Sequence, residues 1–140
     1  MKFRRHFQLF ITIAGFTLCT ALEAQQSGFS GTWVPVKQEI GGNALPGEAF
    51  RNQKMIINDS LYTVIAESID KGIVRHSGDK MDIYGKDGVN AGKHFTAIYK
   101  LENDLLTICY NLNGDSYPEA FDTSGKPAFF ISVFKKENIK

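Results

Sequence analysis

His94–Leu101 (HFTAIYKL), Glu102-Asn103-Asp104 and Leu105–Leu112 (LLTICYNL) decide the fold. Two runs rich in β-branched and aromatic residues flank a short polar gap, the pattern of a β-hairpin. Side chains along a strand alternate between its two faces. Phe95, Ala97, Tyr99 and Leu101 therefore share one face with Leu106, Ile108 and Tyr110, while Thr96, Lys100 and Thr107 share the other. One apolar and one polar face predicts an antiparallel sheet buried on one side and wetted on the other.

The same grammar runs outward in both directions. Lys80–Tyr84 (KMDIY) sets Met81 and Ile83 against Asp82, and Ser77-Gly78-Asp79 separates it from Ile73–His76 (IVRH). Asp70-Lys71-Gly72 reads as the preceding turn. Leu61–Glu67 (LYTVIAE) and Lys54–Asn58 (KMIIN) flank Asp59-Ser60 as a second hairpin. Leu45–Asn52 is a connector with room for one helical turn, and Gly41-Gly42-Asn43 turns the chain after Gly31–Ile40 (GTWVPVKQEI). Gly85–Lys93 (GKDGVNAGK) reads as a polar, glycine-rich loop, and Ala128–Lys136 (AFFISVFKK) closes the series.

Eight candidate strands with no helix to cover them predict an all-β fold. Closing the sheet on itself removes exposed edges, so the expected architecture is an antiparallel eight-stranded up-and-down barrel. A two-sheet sandwich is the competing arrangement.

The chain has 140 residues and a formal charge of +1, which suits one globular domain and gives no basic surface for nucleic acid. Its first 24 residues read as a signal peptide: Lys2, Arg4 and Arg5, then the apolar run Phe7–Leu18, then a small residue at Ala24. That run is shorter than a spanning helix needs, so no integral membrane segment is expected after cleavage. Cys19 follows Leu18 rather than a small residue, which argues against lipid attachment. Cleavage leaves a polar lead-in at 25–30, the barrel domain at 31–136 and a short tail at 137–140. It also shifts the formal charge to −1 and leaves Cys109 as the one cysteine. The expectation is an exported protein, periplasmic or secreted, with Cys109 buried.

Gly31-Thr32-Trp33 matches the Gly-x-Trp opening of lipocalin-type barrels. Leu45-Pro46, Gly92-Lys93, Ile98-Tyr99-x-Leu101, Asp104-x-Leu106-x-Ile108-Cys109-Tyr110, Pro118-x-x-Phe121 and Lys135-Lys136 follow in order. The chain thereby resembles a family of exported bacterial lipocalin-like domains over about residues 30–136. The resemblance implies a tryptophan closing one barrel end, with Lys135 or Lys136 packed over it. Tyr117 departs from the family pattern, which usually has an arginine before the proline. The resemblance supports fold and export and supplies no activity.

The residue chemistry points away from catalysis. Cys109 lies mid-strand between Ile108 and Tyr110, a setting that makes a thiol inert. Ser77 lies on the turn beside His76, and adjacent residues along a strand point to opposite faces, so the pair is not placed to form a dyad. His76, His94 and the acids Asp79, Asp82 and Asp87 lack metal-ligand spacing. No catalytic residue, metal or cofactor is expected. Trp33, Met55, Tyr62, Met81, Ile83, Tyr99, Leu106, Ile108 and Tyr110 are the expected lining of a site for a small apolar or amphipathic ligand, with Gly85–Lys93 and Leu45–Asn52 as rim. The alternative is a filled barrel acting as an extracytoplasmic protein- or polymer-interaction module.

Overall fold

The computed structural model describes residues 28–138. The expected signal peptide at 1–24 lies outside the described residues. Nine strands follow: β1 (Gly31–Ile40), β2 (Asn43–Ala44), β3 (Lys54–Asn58), β4 (Leu61–Ile65), β5 (Ile69–Ser77), β6 (Lys80–Asp87), β7 (His94–Glu102), β8 (Leu105–Asn111) and β9 (Phe129–Lys136). Each neighbouring pair is antiparallel, and β1 also pairs with β9 from Trp33–Lys136 to Ile40–Phe130. Eight strands thus form a closed up-and-down barrel, with the two-residue β2 appended to the upper part of β1. No α-helix occurs among the described residues; Gly47–Ala49 forms one 3₁₀ turn.

Up-and-down topology sends alternate connections to opposite ends, and this chain spends its length unequally between them. The turns after β3, β5 and β7 are two residues each. Asn103 and Asp104 both take positive φ, +52° and +62°. That is the type I′ geometry whose twist matches paired strands. The connections at the other end carry residues 41–53, 66–68, 88–93 and 112–128. One end is tight and the other is rimmed by loops.

The tight end is sealed by aromatic packing. Trp33 is 1% exposed and its indole N–H donates to the Phe29 carbonyl at 2.8 Å. The Phe29 ring meets His76 and Tyr99 edge-on, at centroid separations of 4.9 and 4.7 Å. The Lys136 ammonium lies 5.6 Å from the centre of the Trp33 ring, the arrangement the resemblance implies. Gly31 makes this possible. Its φ of +141° is one that other residues rarely adopt, and a Cβ there would lie 2.6 Å from the Lys136 Cε. Phe29, 7% exposed, shows that the expected polar lead-in at 25–30 carries a buried ring; its residues 25–27 lie outside the described residues. Alternation could not place Phe29, because it precedes the first strand.

Two further boundaries differ from expectation. Asp70-Lys71-Gly72 is not a turn but lies inside β5, and the bend falls at 66–68. The local composition misleads because Gly72 stands at a β-bulge, where the register with β6 shifts. Likewise β6 runs on through Gly85, Lys86 and Asp87, so the loop is only 88–93.

The outward face is also less wet than alternation implies. Ile98, Cys109 and Ile131 form a second apolar cluster with Phe129 and Val133, on the opposite face from Leu106 and Ile108. The 112–128 connection lies across it. Thr123, fully buried, donates to Glu39 of β1 and accepts from the Gly42 N–H at 2.9 Å. Thr96 donates to the Ser116 carbonyl. Cys109 is buried as expected, and burial pushes its thiol up despite the Asp122 N–H and Lys126 nearby.

Phe29→Ala should lower unfolding stability by about 3–5 kcal/mol, the range for deleting a buried aromatic ring. Leu61→Ala, at a site 58% exposed, should change it by no more than about 0.5 kcal/mol. Urea denaturation of both variants is the check; a loss for Phe29→Ala as small as that for Leu61→Ala would contradict the seal.

Candidate functional site

At the loop-rimmed end the interior is not filled. A cavity of about 300 Å³ opens there, at the small end of the range for small-molecule sites. Its walls are the inward positions of β3 to β9. Met55 and Ile57 come from β3, Tyr62 and Val64 from β4, Asp70 and Val74 from β5, and Met81 and Ile83 from β6. Phe95 of β7, Ile108 and Tyr110 of β8 and Phe130 of β9 complete the ring. Ala66, Ser68, Val89, Asn90 and Leu112 form its mouth.

A polar corner interrupts this apolar wall. Asp70 is 6% exposed and points inward on β5. It accepts from the Tyr62 hydroxyl at 3.3 Å, from the Asn90 backbone N–H at 3.2 Å and from the Asn90 side-chain amide at 3.0 Å. Two missing side chains leave room for this arrangement. A Cβ on Gly72 would lie 2.6 Å from the Tyr62 ring, and one on Gly85 would overlap the Asn90 carbonyl oxygen. Asn90 is thus drawn over the mouth and tied to a buried acid on the wall.

Of the nine residues expected to line a ligand site, six border this cavity: Met55, Tyr62, Met81, Ile83, Ile108 and Tyr110. Trp33, Tyr99 and Leu106 share their core cluster but do not border the cavity. Alternation places all nine on the inner face and cannot say how far along the barrel each one sits. Trp33 and Tyr99 belong to the sealed end, where the Tyr99 hydroxyl donates to the Gly78 carbonyl at 2.5 Å. Of the two expected rim segments, 85–93 supplies Val89 and Asn90, whereas 45–52 supplies no lining residue and buries Phe50 instead.

Sequence reasoning missed Asp70 and Asn90. Asp70 was legible in one respect, since it shares the phase of Gly72 and Val74 once β5 is read as starting at Ile69. Asn90 had no signal, because its role depends on how a loop folds back.

A second polar group lies on the outside. Asp82 takes a 2.7 Å hydrogen bond from the His94 Nε2 and a 2.6 Å bond from the Tyr117 hydroxyl, and Tyr84 stacks on His94 at 4.5 Å. It is separate from the cavity, whose lining includes none of Asp82, His94 and Tyr117. Among the described residues, no three His, Cys, Asp or Glu side chains converge to hold a metal ion.

No family model matches the chain, and no curated protein sequence matches it. Among solved structures the chain is similar to a crystal structure of a mutant of the fluorescent protein UnaG. The two are 13% identical, with a TM-score of 0.41, over 81% of this chain and 99% of that one. A likeness at that level says nothing about what the cavity holds. No helix among the described residues is long and apolar enough to cross a membrane.

Burial pushes the Tyr62 hydroxyl well above its ordinary range, and the charge and hydrogen bond of Asp70 push it further. Tyr110 is raised chiefly by burial, with Tyr62 adding. The fold therefore favours the neutral phenol. Its contribution to stability is complete below about pH 10, where unfolded tyrosines are also neutral, and drains away as pH rises beyond it. Each such tyrosine should steepen the fall by up to about 1.4 kcal/mol per pH unit, the limit reached once the unfolded phenol is fully ionised. Denaturation between about pH 10 and 11 should show a shallower slope for Tyr62→Phe than for the wild type; equal slopes would contradict the placement of this hydroxyl.

Proposed function

We propose that this protein is an exported, non-enzymatic carrier that takes a small apolar or amphipathic molecule into the open end of its barrel. The observation that carries the proposal is the cavity of about 300 Å³, apolar around its wall and polar at one corner. Apolar walls supply affinity through burial, and a few fixed polar groups orient the guest. The alternative of a filled barrel working through its outer surface is less favoured, since a filled barrel has no use for such a space.

The absence of catalysis is supported by where the reactive groups stand. Cys109 is outside the barrel wall under the 112–128 connection, and neither His76 nor His94 lines the cavity. Export rests on the basic, apolar and small-residue succession of residues 1–24.

The test is uptake of N-phenylnaphthylamine, a neutral dye whose emission rises and shifts blue in apolar surroundings. The wild type should enhance it saturably. Val64→Trp places an indole in the cavity wall and should weaken binding by about tenfold or more, a loss of about 1.4 kcal/mol. Far-ultraviolet circular dichroism would verify that the variant is folded. No enhancement by the wild type, or equal enhancement by the variant, would overturn the carrier reading.

A further inference from the structure

Of the residues around the cavity, Asp70 alone carries a formal charge; no lysine, arginine or histidine lines it. Among the described residues no cation pairs with Asp70 either. A carboxylate in an apolar wall is costly unless its charge is met. Here it is met only by neutral donors: the Tyr62 hydroxyl and two N–H groups of Asn90. A carboxylate offers about four acceptor positions on its two oxygens, so three donors leave about one for an occupant of the cavity.

The donors are also arranged as a holder rather than a shield. The Tyr62 ring fixes one side, wedged against the bare backbone of Gly72, and the loop through Asn90 fixes the other. Tyr62 stays protonated because burial and Asp70 both oppose its ionisation, so it remains a donor. The cavity lining therefore has no cationic side chain to pair with an anionic head and one positioned carboxylate to pair with a cationic one.

We propose that the cavity selects an amphiphile bearing a protonated amine, with the ammonium on Asp70 and the apolar body against Met81, Ile83 and Ile108. This inference rests on the carrier reading and adds the chemical class of the guest to it. A fatty acid or other anionic lipid is excluded by the same charge that attracts the amine.

Isothermal titration calorimetry with decylamine, decanol and decanoate at neutral pH separates the possibilities, since the three share one tail and differ in head charge. Decylamine should bind about tenfold to a hundredfold tighter than decanol, the gain expected of a charge-assisted hydrogen bond in a buried site. Decanoate should bind more weakly than decanol. Asp70→Asn keeps the side-chain shape and should bring decylamine down to the level of decanol while leaving decanol unchanged. Asp87→Asn, which removes an exposed acid on β6 outside the cavity lining, should leave the ranking intact and so exclude attraction by general surface charge. The wild-type ranking decides the matter by itself should Asp70→Asn fail to fold. Decylamine no tighter than decanol, or a preference that survives Asp70→Asn, would overturn the amine assignment and leave the carrier reading standing. Failure of all three compounds to bind would overturn both.

Discussion

The pairing of β1 with β9 is the constraint from which the rest follows. Without it the eight strands are an open sheet with two unpaired edges and one apolar face in water, an arrangement prone to edge-to-edge association. With it, the inward side chains of every strand enclose a common interior. The seam tolerates one irregularity, a bulge between Pro35 and Lys37, where the register shifts by a residue. That shift is what lets Trp33 and Gln38, an odd number of positions apart, both point inward. Gln38 is satisfied there by donating to Gln53 at 2.9 Å and to Ser132 across the seam at 3.3 Å.

Closure alone makes a cylinder; the inequality of its two ends makes a site. Two-residue turns draw one end tight, and Trp33, Phe29 and Lys136 stack across it. The opposite end is held apart by longer connections that pack sideways rather than inward. The 112–128 connection lies on the outer wall over Ile98, Cys109 and Ile131, so it braces the barrel without plugging it. The 88–93 loop turns toward the mouth and delivers Asn90 to Asp70, while the 66–68 and 112–128 connections add Ala66, Ser68 and Leu112 to the rim. The polar corner around Asp70 is therefore built jointly by a strand, its neighbour and a returning loop.

Alternation made the fold legible. The hairpin around Asn103-Asp104 has the inward faces that period-two reading assigns, although Glu102, expected in the gap, pairs with Leu105, and the Asp59-Ser60 hairpin joins the two strands expected of it. It failed where a residue's role was not local. Gly72 looks like a turn residue in sequence, yet its purpose is to receive the Tyr62 ring from the neighbouring strand. Phe29 lies ahead of the first strand and offers no period to read. Cys109, Ile98 and Ile131 fall on the nominally wet face, and only the path of a long irregular connection explains why they are apolar. The same limit divides the expected lining: Tyr62 and Trp33 have equal claims by phase, but depth along the axis separates a cavity wall from an end seal.

Amide hydrogen exchange, resolved residue by residue, tests barrel closure most directly. In a closed barrel the backbone N–H groups bonded between β1 and β9, from Trp33 to Ile40 and from Phe130 to Lys136, exchange as slowly as those between β7 and β8, because both seams open only with the whole fold. If the β1–β9 amides instead exchange at the rate of the 112–128 connection while β7 and β8 stay protected, the sheet is open and the interior described here does not exist.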